Sequence, residues 1–317
     1  MNSRDLIMVL SSLLSMAAGV FLPQAAEPLA AMPRLILIFM LYMSFLAVGM
    51  EALMREIRHM KGTLCLLVAL RLAALPLLCL AVFRLLMPQF ALGAFLLGAA
   101  PVGVMAAVFS LMVGANTALI LVANITTSLL LPASLPAVLS ATDAGLRLLG
   151  LEPLNMPAHL ELGHMSLSLC VTILVPFAAA HLTRIHCDGL RNLLLRWQFP
   201  LITVSIVVSN IAIFSHYGDL LRQSPELLLK SLGAASLLCL VMTLAAIPLA
   251  RRMGRQVGRQ VGMAFQISFG VINNVLLMIV CMEFFSATEA IMAAAYLAPL
   301  YVLLFYYRLC SCDKKRA

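Results

Sequence analysis

The sequence predicts an all-α integral membrane protein with ten transmembrane helices, and three observations support this fold class. Hydrophobic residues make up 63% of the chain, charged residues only 11%, and the mean hydropathy is +1.05. A soluble domain is nearer half apolar and a quarter charged, so the excess apolar surface must face lipid. The apolar runs have the length of roughly 20 residues that a helix needs to cross a bilayer, without the alternation of a membrane β-barrel.

The order of the predicted spans divides the chain into two halves. The longest predicted loop, at about 141–158, falls at the midpoint of the ten spans. An odd number of spans in each half gives the halves opposite orientations, which is a common design of secondary transporters. We therefore predict inverted repeats over 1–143 and 158–307, followed by a basic cytoplasmic tail at 308–317. The ten spans cover about 5–23, 33–53, 62–83, 90–112, 116–140, 159–182, 197–215, 226–250, 260–284 and 288–307.

The first apolar run allows two interpretations. A basic residue, an apolar run and then a proline with small residues also describe a secretory signal. We predict a retained first helix, because the chain is given from its Met1.

Basic residues indicate the orientation of the spans. If the amino terminus lies inside, fifteen of the 21 Lys and Arg residues fall in inner segments, five fall in outer segments, and Arg71 lies within a span. Basic residues concentrate on the cytoplasmic side of membrane proteins. We therefore predict cytoplasmic termini and a location in the bacterial inner membrane. The net charge of +8 is mostly this bias, so a nucleic-acid partner is not expected.

Two predicted spans contain residues that interrupt a helix. In the fourth span, Pro101 lacks a backbone N–H and clashes with the preceding turn, and Gly103 adds backbone freedom. In the ninth span, Gly270, Asn273 and Asn274 stand in an otherwise apolar run. A proline kink and polar contacts between helices are the simpler explanations. However, the two spans hold matching places in the two halves, and interrupted helices at matching places indicate a transporter binding site.

The interrupted spans supply candidate groups for an anionic substrate. Asn273 and Asn274 are suitable donors to a carboxylate or sulfonate, and half-helix N-termini add N–H groups and a positive dipole end. At the fourth-span break this backbone belongs to Gly103, Val104 and Met105. Secondary candidates are polar residues of the fifth and ninth spans, namely Asn124, Thr127, Ser128, Ser268 and Gln266.

Arg71 lies near the middle of the third predicted span. An ionisable side chain at that depth indicates a functional site by default. A structural salt bridge is the simpler explanation, yet no carboxylate lies at clear mid-depth in the neighbouring core spans. Glu51 is near the inner end of the second span, and Glu283 is near the outer end of the ninth. A backbone carbonyl is the other structural partner that the sequence allows. We therefore include Arg71 among the candidate substrate-binding residues.

Three stretches carry a resemblance to a known family. The first stretch covers residues 39–61 and includes Val48-Gly49-Met50-Glu51. The second covers residues 98–103, 114–119 and 129–132. The third, residues 268–274, looks like the motif E-x-G-x-Q-N. Together they resemble the bile acid:sodium symporter family, over about residues 32–307.

The resemblance implies a fold and a mechanism. It implies a panel domain and a core domain, with helices three, four, five, eight, nine and ten in the core. Helices four and nine would cross where both unwind, with sodium ions behind the crossing and the organic anion in front of it. Alternating access would move one domain against the other.

The ninth-helix sodium ligands that the resemblance implies are mostly missing from this chain. The family's Glu falls on Ser268 and its Gln on Ile272, whereas its Asn is kept as Asn273. A Ser-Asn pair after the fourth-helix break falls on Ala106 and Ala107. Since sodium is a hard cation that requires several oxygen ligands, these replacements indicate that the usual site is lost.

Two further ligand positions also differ from the residues that the resemblance implies for a sodium site. A Thr ligand in the fifth helix falls on Asn124, and a Gln ligand in the third helix falls on Arg71, five residues before Pro76. A guanidinium stays protonated in proteins. Our hypothesis is that Arg71 replaces the cation and provides a positive field for an anionic substrate.

The sequence therefore predicts a secondary transporter of a small organic anion, either a carboxylate or a bile-acid-like molecule, that is not sodium-coupled in the family's usual way. One alternative is a sodium-coupled organic anion symporter with rearranged ligands. Another is a transport-inactive membrane sensor or interaction protein. An enzyme is not expected, because the chain has no HExxH, no GxSxG and no buried acid pair. We expect no cofactor or metal site, and the expected partners are the anion and the lipid bilayer.

Overall fold

A computed structural model describes residues 3–21 and 32–312 of the chain. These segments are almost entirely helical, and no β-strand occurs among them. The helices are α1 Ser3–Phe21, α2 Pro33–Leu46, α3 Met50–Ala69, α4 Leu75–Leu86, α5 Ala91–Gly98, α6 Met105–Val113, α7 Thr117–Leu148, α8 Leu162–His186, α9 Asp188–Arg196, α10 Gln198–His216, α11 Gly218–Gln223, α12 Pro225–Gln256, α13 Arg259–Gly270, α14 Asn274–Phe284, α15 Ala287–Ala295 and α16 Leu297–Cys312.

Five helical segments in the described residues are long and apolar enough to cross a membrane: Met54–Leu86, Thr117–Leu148, Leu162–His186, Gln198–His216 and Pro225–Gln256. They correspond to the third, fifth, sixth, seventh and eighth predicted spans. The remaining predicted spans correspond to shorter apolar helices, so the ten-span count stays a prediction. The last part of the predicted basic tail, 313–317, and the end of the first predicted span lie outside the described residues.

The chain divides into two compact units, and each unit combines segments from both predicted halves. The first unit contains Met1–Met50 and Cys170–Lys230, and the second contains Glu51–Leu169 and Ser231–Ala317. The second unit thus holds the segments that the resemblance assigns to the core. The units cut across the two predicted inverted repeats, whose symmetry stays a prediction.

In the first unit, α10 packs against α1 and α2. A buried polar contact lies between α1 and α10, where the Asn210 Nδ2 donates to the hydroxyls of Ser12, at 2.9 Å, and Ser15, at 3.2 Å. All three residues are buried. Because a buried polar group without a partner is costly, these bonds favour one register between the two helices.

In the second unit, the segment from α3 to α4 is one apolar helix that is locally widened. Residues Leu70–Ala74 form a π-helical turn, in which the Leu75 N–H bonds to the Leu70 carbonyl. Pro76 explains this turn, because its ring removes one backbone donor and clashes with the carbonyl four residues earlier. The widened turn carries Arg71. Such single π-turns inside α-helices often occur at functional sites.

Two further helices of the second unit are interrupted. The fourth predicted span forms α5 and α6, which are separated by a non-helical segment between Gly98 and Met105. The ninth predicted span forms α13 and α14, which are separated between Gly270 and Asn274. Helix α6, which directly follows the first interruption, begins without a side-chain cap, whereas the Asn116 Oδ1 caps the next helix, α7, by accepting from the Leu119 N–H. The first interruption contains Pro101 and Gly103, and the second begins directly after Gly270.

Candidate functional site

The two non-helical segments of the second unit are bonded to each other. Val102 and Ile272 form an isolated antiparallel β-bridge. The Gly103 N–H donates to the Val271 carbonyl at 2.8 Å, and the Asn273 N–H donates to the Pro101 carbonyl at 2.9 Å. Each interruption therefore satisfies backbone groups that the other interruption leaves without a helical partner, as a low-dielectric environment requires.

Gly103 makes this close approach possible. A Cβ atom at this position would lie 2.4 Å from the Ile272 carbonyl oxygen and 2.7 Å from its carbon. Both distances are far below van der Waals contact, and the neighbouring atoms are backbone, which cannot rotate away. Glycine is thus required where the two chain segments cross, in keeping with its use at close backbone approaches.

The Arg71 side chain lies entirely inside the second unit, with 0% of its surface exposed. Its NH1 donates to the Gly98 carbonyl at 3.2 Å and contacts the Met242 sulfur at 3.8 Å. Its Nε and NH2 have no hydrogen-bond partner among the described residues. No carboxylate of the described residues forms an ion pair with it. A permanent charge with unused donors is therefore buried beside the first broken helix.

Arg71 and Tyr296 have equivalent roles at the two breaks. Helix α5 ends at Gly98, whose carbonyl accepts from Arg71. Helix α13 ends at Gly270, whose carbonyl accepts from the Tyr296 hydroxyl at 2.8 Å. Both side chains are fully buried. Terminal carbonyls carry the negative end of a helix dipole, so each half-helix ends on a donor side chain from a distant part of the chain.

The opposite ends of the breaks are helix N-termini. Helix α6 begins at Met105 and helix α14 begins at Asn274. The Asn273 Oδ1 caps α14 by accepting from the Leu276 N–H at 3.4 Å, while its Nδ2 has no partner. Both polar atoms of the buried Asn274 amide are also without a partner. Both N-termini thus present a positive dipole end, and that of α14 adds unused amide donors.

Helix α7 places three of the secondary candidates inside the second unit. The Thr127 hydroxyl accepts from the Val102 N–H at 3.1 Å and donates to the Ala123 carbonyl at 2.6 Å, so it holds the first break directly. The Asn124 Oδ1 and the Ser128 hydroxyl are buried without a partner among the described residues. On α13, the hydroxyl of the fully buried Ser268 also has no hydrogen-bond partner among these residues. Helix α7 packs against the Arg71-bearing turn, α6 and α13, which brings these residues into one neighbourhood.

Not every candidate lies at the crossing. Gln266 is half-buried and lines a cavity together with basic residues of α12 and α13. Its carbonyl accepts from the Tyr307 hydroxyl at 3.0 Å. Sequence analysis also missed Tyr296, although a tyrosine within the apolar run 290–300 is a signal that a buried hydroxyl needs a partner.

The positions to which the resemblance transfers sodium ligands do not suit a sodium ion. Ala106 is fully buried and Ile272 is 2% exposed, and neither has a side-chain oxygen. The guanidinium of Arg71 already supplies a positive charge to the Gly98 carbonyl. Hard cations need several oxygen ligands, and the oxygens left in this neighbourhood belong to neutral groups, chiefly those of Asn124 and Ser268. No transport step that requires sodium can therefore be derived from these residues.

Comparison with known proteins identifies the family. No curated protein matches the chain. The model of the Sodium Bile acid symporter family matches residues 34–224, which include Arg71, the first break and the whole of α7, and end before α13. Since this match covers more than half of the chain, the chain belongs to the sodium bile acid symporter family, whose members are membrane transporters.

Proposed function

We propose that this member of the family is a secondary transporter of a small organic anion, a carboxylate or a bile-acid-like molecule, and that Arg71 takes the place of the coupling cation. Family membership and the apolar helices support this proposal, because they place the chain among membrane proteins of a transporter family. The nature of the substrate and the coupling are our inference from the residues at the broken helices.

The buried guanidinium is the observation that carries the proposal. In transporters with broken helices, half-helix C-termini and unwound carbonyls are where coupling cations bind. The carbonyl of Gly98, at the C-terminal end of α5, accepts a hydrogen bond from Arg71. A fixed positive charge of the protein thus occupies the environment that favours a bound cation, and it stays there in every ionic condition.

The anion-binding groups follow from the same geometry. Two half-helices begin next to the bridged pair and present the positive ends of their dipoles there. Their first N–H groups are partly used, since those of Ala106 and Asn274 donate to the Gly103 and Ile272 carbonyls. Asn273 and Asn274 add amide nitrogens without a partner among the described residues. Because these groups are mainly donors and no acid lies among them, they favour a negatively charged substrate. Gly103, Val104 and Met105 would contribute backbone and apolar contacts.

Transport would proceed by alternating access. The division of the chain into two compact units supports this proposal, because it supplies two bodies that can each stay folded during a transport cycle. All of the proposed binding residues belong to one of these bodies, the second unit. We also propose that both termini are cytoplasmic and that the membrane is the bacterial inner membrane.

A sodium-coupled symporter with rearranged ligands is the second candidate. It is favoured by the buried oxygens of Asn124, Ser128 and Ser268, which have no hydrogen-bond partner among the described residues. These oxygens are neutral, whereas Arg71 is positive, so electrostatic repulsion opposes a sodium ion in the same neighbourhood. We therefore favour transport without sodium.

Thermal unfolding of the purified protein distinguishes these functions. Melting temperatures are measured in sodium, potassium and choline chloride at equal ionic strength, and then with a panel of small carboxylates and bile-acid-like anions. A ligand that binds only the folded state stabilises it by about 2.7 kcal/mol at a hundredfold excess over its dissociation constant. Anions that raise the melting temperature are then tested for uptake into proteoliposomes.

We expect one class of anion to stabilise the protein and to be taken up equally well in sodium and in choline. A rise in melting temperature that is specific to sodium would contradict the role of Arg71 and support the second candidate. Stabilisation by an anion without uptake would instead indicate a transport-inactive sensor.

A further inference from the structure

Three arginines at one end of α12 and the start of α13 line a cavity in the second unit. The cavity has a volume of about 480 Å³, and Arg251, Arg255 and Arg259 contribute to its wall together with Gln266 and Tyr306. None of its lining residues is acidic. No ion pair joins these three arginines to a carboxylate of the described residues. The cavity therefore carries an uncompensated positive charge that fits an anion.

The walls of the cavity are held close by glycines. A Cβ atom on Gly262 would lie 2.3 Å from the Ala250 carbonyl oxygen and 3.0 Å from the Gly254 Cα. Helices α12 and α13 are thus in backbone contact at this point. Arg255 and Arg259 are carried by these two helices, which are joined by only Val257 and Gly258, so the two arginines stay near each other.

An apolar groove of about 660 Å³ continues from this cavity between α12 and α16. Ile247 and Tyr306 line both spaces, so the groove and the basic cavity are contiguous. Leu240, Leu244 and Val302 line the groove and are 53%, 54% and 68% exposed. Exposed leucine and valine side chains on a membrane helix face the hydrocarbon of the bilayer.

The groove is long enough to hold an acyl chain of a lipid. Along α12, the lining residues extend from Leu232 to Ile247, which is roughly 22 Å at the helical rise of 1.5 Å per residue. One leaflet of the hydrocarbon core is about 15 Å thick. The groove is longer than one leaflet is thick, so a molecule that fills both spaces needs an anionic head and an apolar chain that can extend through its whole leaflet.

We propose that this composite surface is a binding site for an anionic phospholipid, with the phosphate against Arg251, Arg255 and Arg259 and one acyl chain along the groove. The site belongs to the leaflet on the arginine-bearing side of the membrane. It is independent of the proposed transport function, because none of the residues that line it belongs to the bridged segments Pro101–Gly103 and Val271–Asn273. Guanidinium groups suit phosphate through paired N–H donors, and basic pockets between membrane helices attract anionic head groups.

The test uses the purified full chain in a neutral detergent. Melting temperature and lipid adducts in native mass spectrometry are measured with dioleoyl-phosphatidylglycerol, dioleoyl-phosphatidylcholine, dihexanoyl-phosphatidylglycerol and inorganic phosphate. We expect dioleoyl-phosphatidylglycerol to bind and to raise the melting temperature. The zwitterionic lipid and free phosphate should have little effect, and the short-chain lipid should bind more weakly because it does not fill the groove.

Matched variants separate the two parts of the site. Arg255→Gln combined with Arg259→Gln should weaken dioleoyl-phosphatidylglycerol binding by about tenfold or more. Arg255→Gln alone should already weaken binding. Its matched control is Arg252→Gln, which removes one arginine charge from α12 three residues earlier, at a position that does not line the cavity, and should leave binding unchanged. Ser236→Leu narrows the groove and should reduce the advantage of the long-chain lipid while keeping short-chain binding.

Three results would overturn the proposal. Equal effects of free phosphate and the long-chain lipid would show a site for small soluble anions. An equal loss in the Arg252→Gln variant would show that only the overall basic charge matters. Equal binding of the zwitterionic lipid would show that the arginines do not recognise the head group.

Discussion

The guanidinium of Arg71 donates a hydrogen bond to the carbonyl of Gly98 over 3.2 Å, and 27 positions of sequence separate the two residues. This bond joins a π-helical turn to the C-terminal end of a broken half-helix. It uses only one of the guanidinium nitrogens, because Nε and NH2 have no partner among the described residues. The remaining donors and the fixed charge are what make Arg71 the centre of the proposed function.

Replacing Arg71 tests that role. We expect Arg71→Gln to weaken anion binding about 10- to 100-fold, because a hydrogen bond to a charged group contributes roughly 1.5–3 kcal/mol. The variant should fold, since glutamine retains a donor for the Gly98 carbonyl. Calorimetric titration with the anion found in the melting panel measures the effect. Arg84→Gln is the control, as Arg84 also donates to backbone carbonyls but sits at the end of α4. Unchanged binding and uptake in Arg71→Gln would refute the cation-replacement hypothesis.

Gly103→Ala should separate the two broken helices. Its new Cβ would meet the Ile272 carbonyl at 2.4 Å, so the bridged segments have to move apart. We expect a loss of about 1–3 kcal/mol in unfolding free energy, as for other overpacked sites, together with loss of uptake. Gly233→Ala is the control, because its Cβ would meet nothing within 4 Å and α12 should tolerate or favour alanine. Equal melting temperatures for both variants would argue against a tight crossing.

Thr127→Val removes the hydroxyl that accepts from the Val102 N–H at 3.1 Å. The shape of the side chain is kept, but a buried backbone donor is left without its partner, which costs about 1–3 kcal/mol. The expected result is a lower melting temperature and faster amide exchange at Val102. Thr142→Val lies on the same helix and loses only a bond to the Val138 carbonyl, so it should be nearly neutral. A similar shift in both variants would mean that the hydroxyl of Thr127 does not support the break.

Tyr296→Phe leaves the Gly270 carbonyl without the donor that now lies 2.8 Å away. We predict a destabilisation of about 1–2 kcal/mol, which is measurable as a lower melting temperature. The comparison is Tyr307→Phe. The Tyr307 hydroxyl donates to the Gln266 carbonyl, one turn earlier in α13, and this contact is only partly buried. The effect there should be smaller. A larger effect of Tyr307→Phe would show that the end of α13 does not depend on Tyr296.

Asn273→Ala and Asn116→Ala both remove an N-cap. Asn273 caps α14 and Asn116 caps α7, each through its Oδ1. Each substitution should cost about 1 kcal/mol of stability. Only Asn273→Ala should also weaken anion binding, since only the Asn273 amide nitrogen is buried without a partner at the break. Anion titrations of the two variants provide the measurement, and equal affinities would remove Asn273 from the proposed site.

The interruptions of the fourth and ninth spans could be predicted because their causes are local. Pro101 cannot donate to a helix, and glycine and asparagine residues favour the end and the start of one. The long apolar helices were predictable for the same kind of reason, since hydropathy over about 20 residues sets membrane placement. The π-turn at Arg71 was not predicted, although Pro76 is its local cause, because a proline is compatible with several distortions.

The sequence by itself determined that this protein belongs in a membrane, that two of its helices are interrupted, and that Arg71 is a charge within a long apolar helix. Only the tertiary structure decided which groups meet. The partners of Arg71 and Tyr296 are Gly98 and Gly270, at separations of 27 and 26 residues, and composition and periodicity contain no information on such pairs. The physical reason is that hydropathy and helix breaking act within one segment, whereas a buried donor finds its acceptor only when helices from distant parts of the chain pack together.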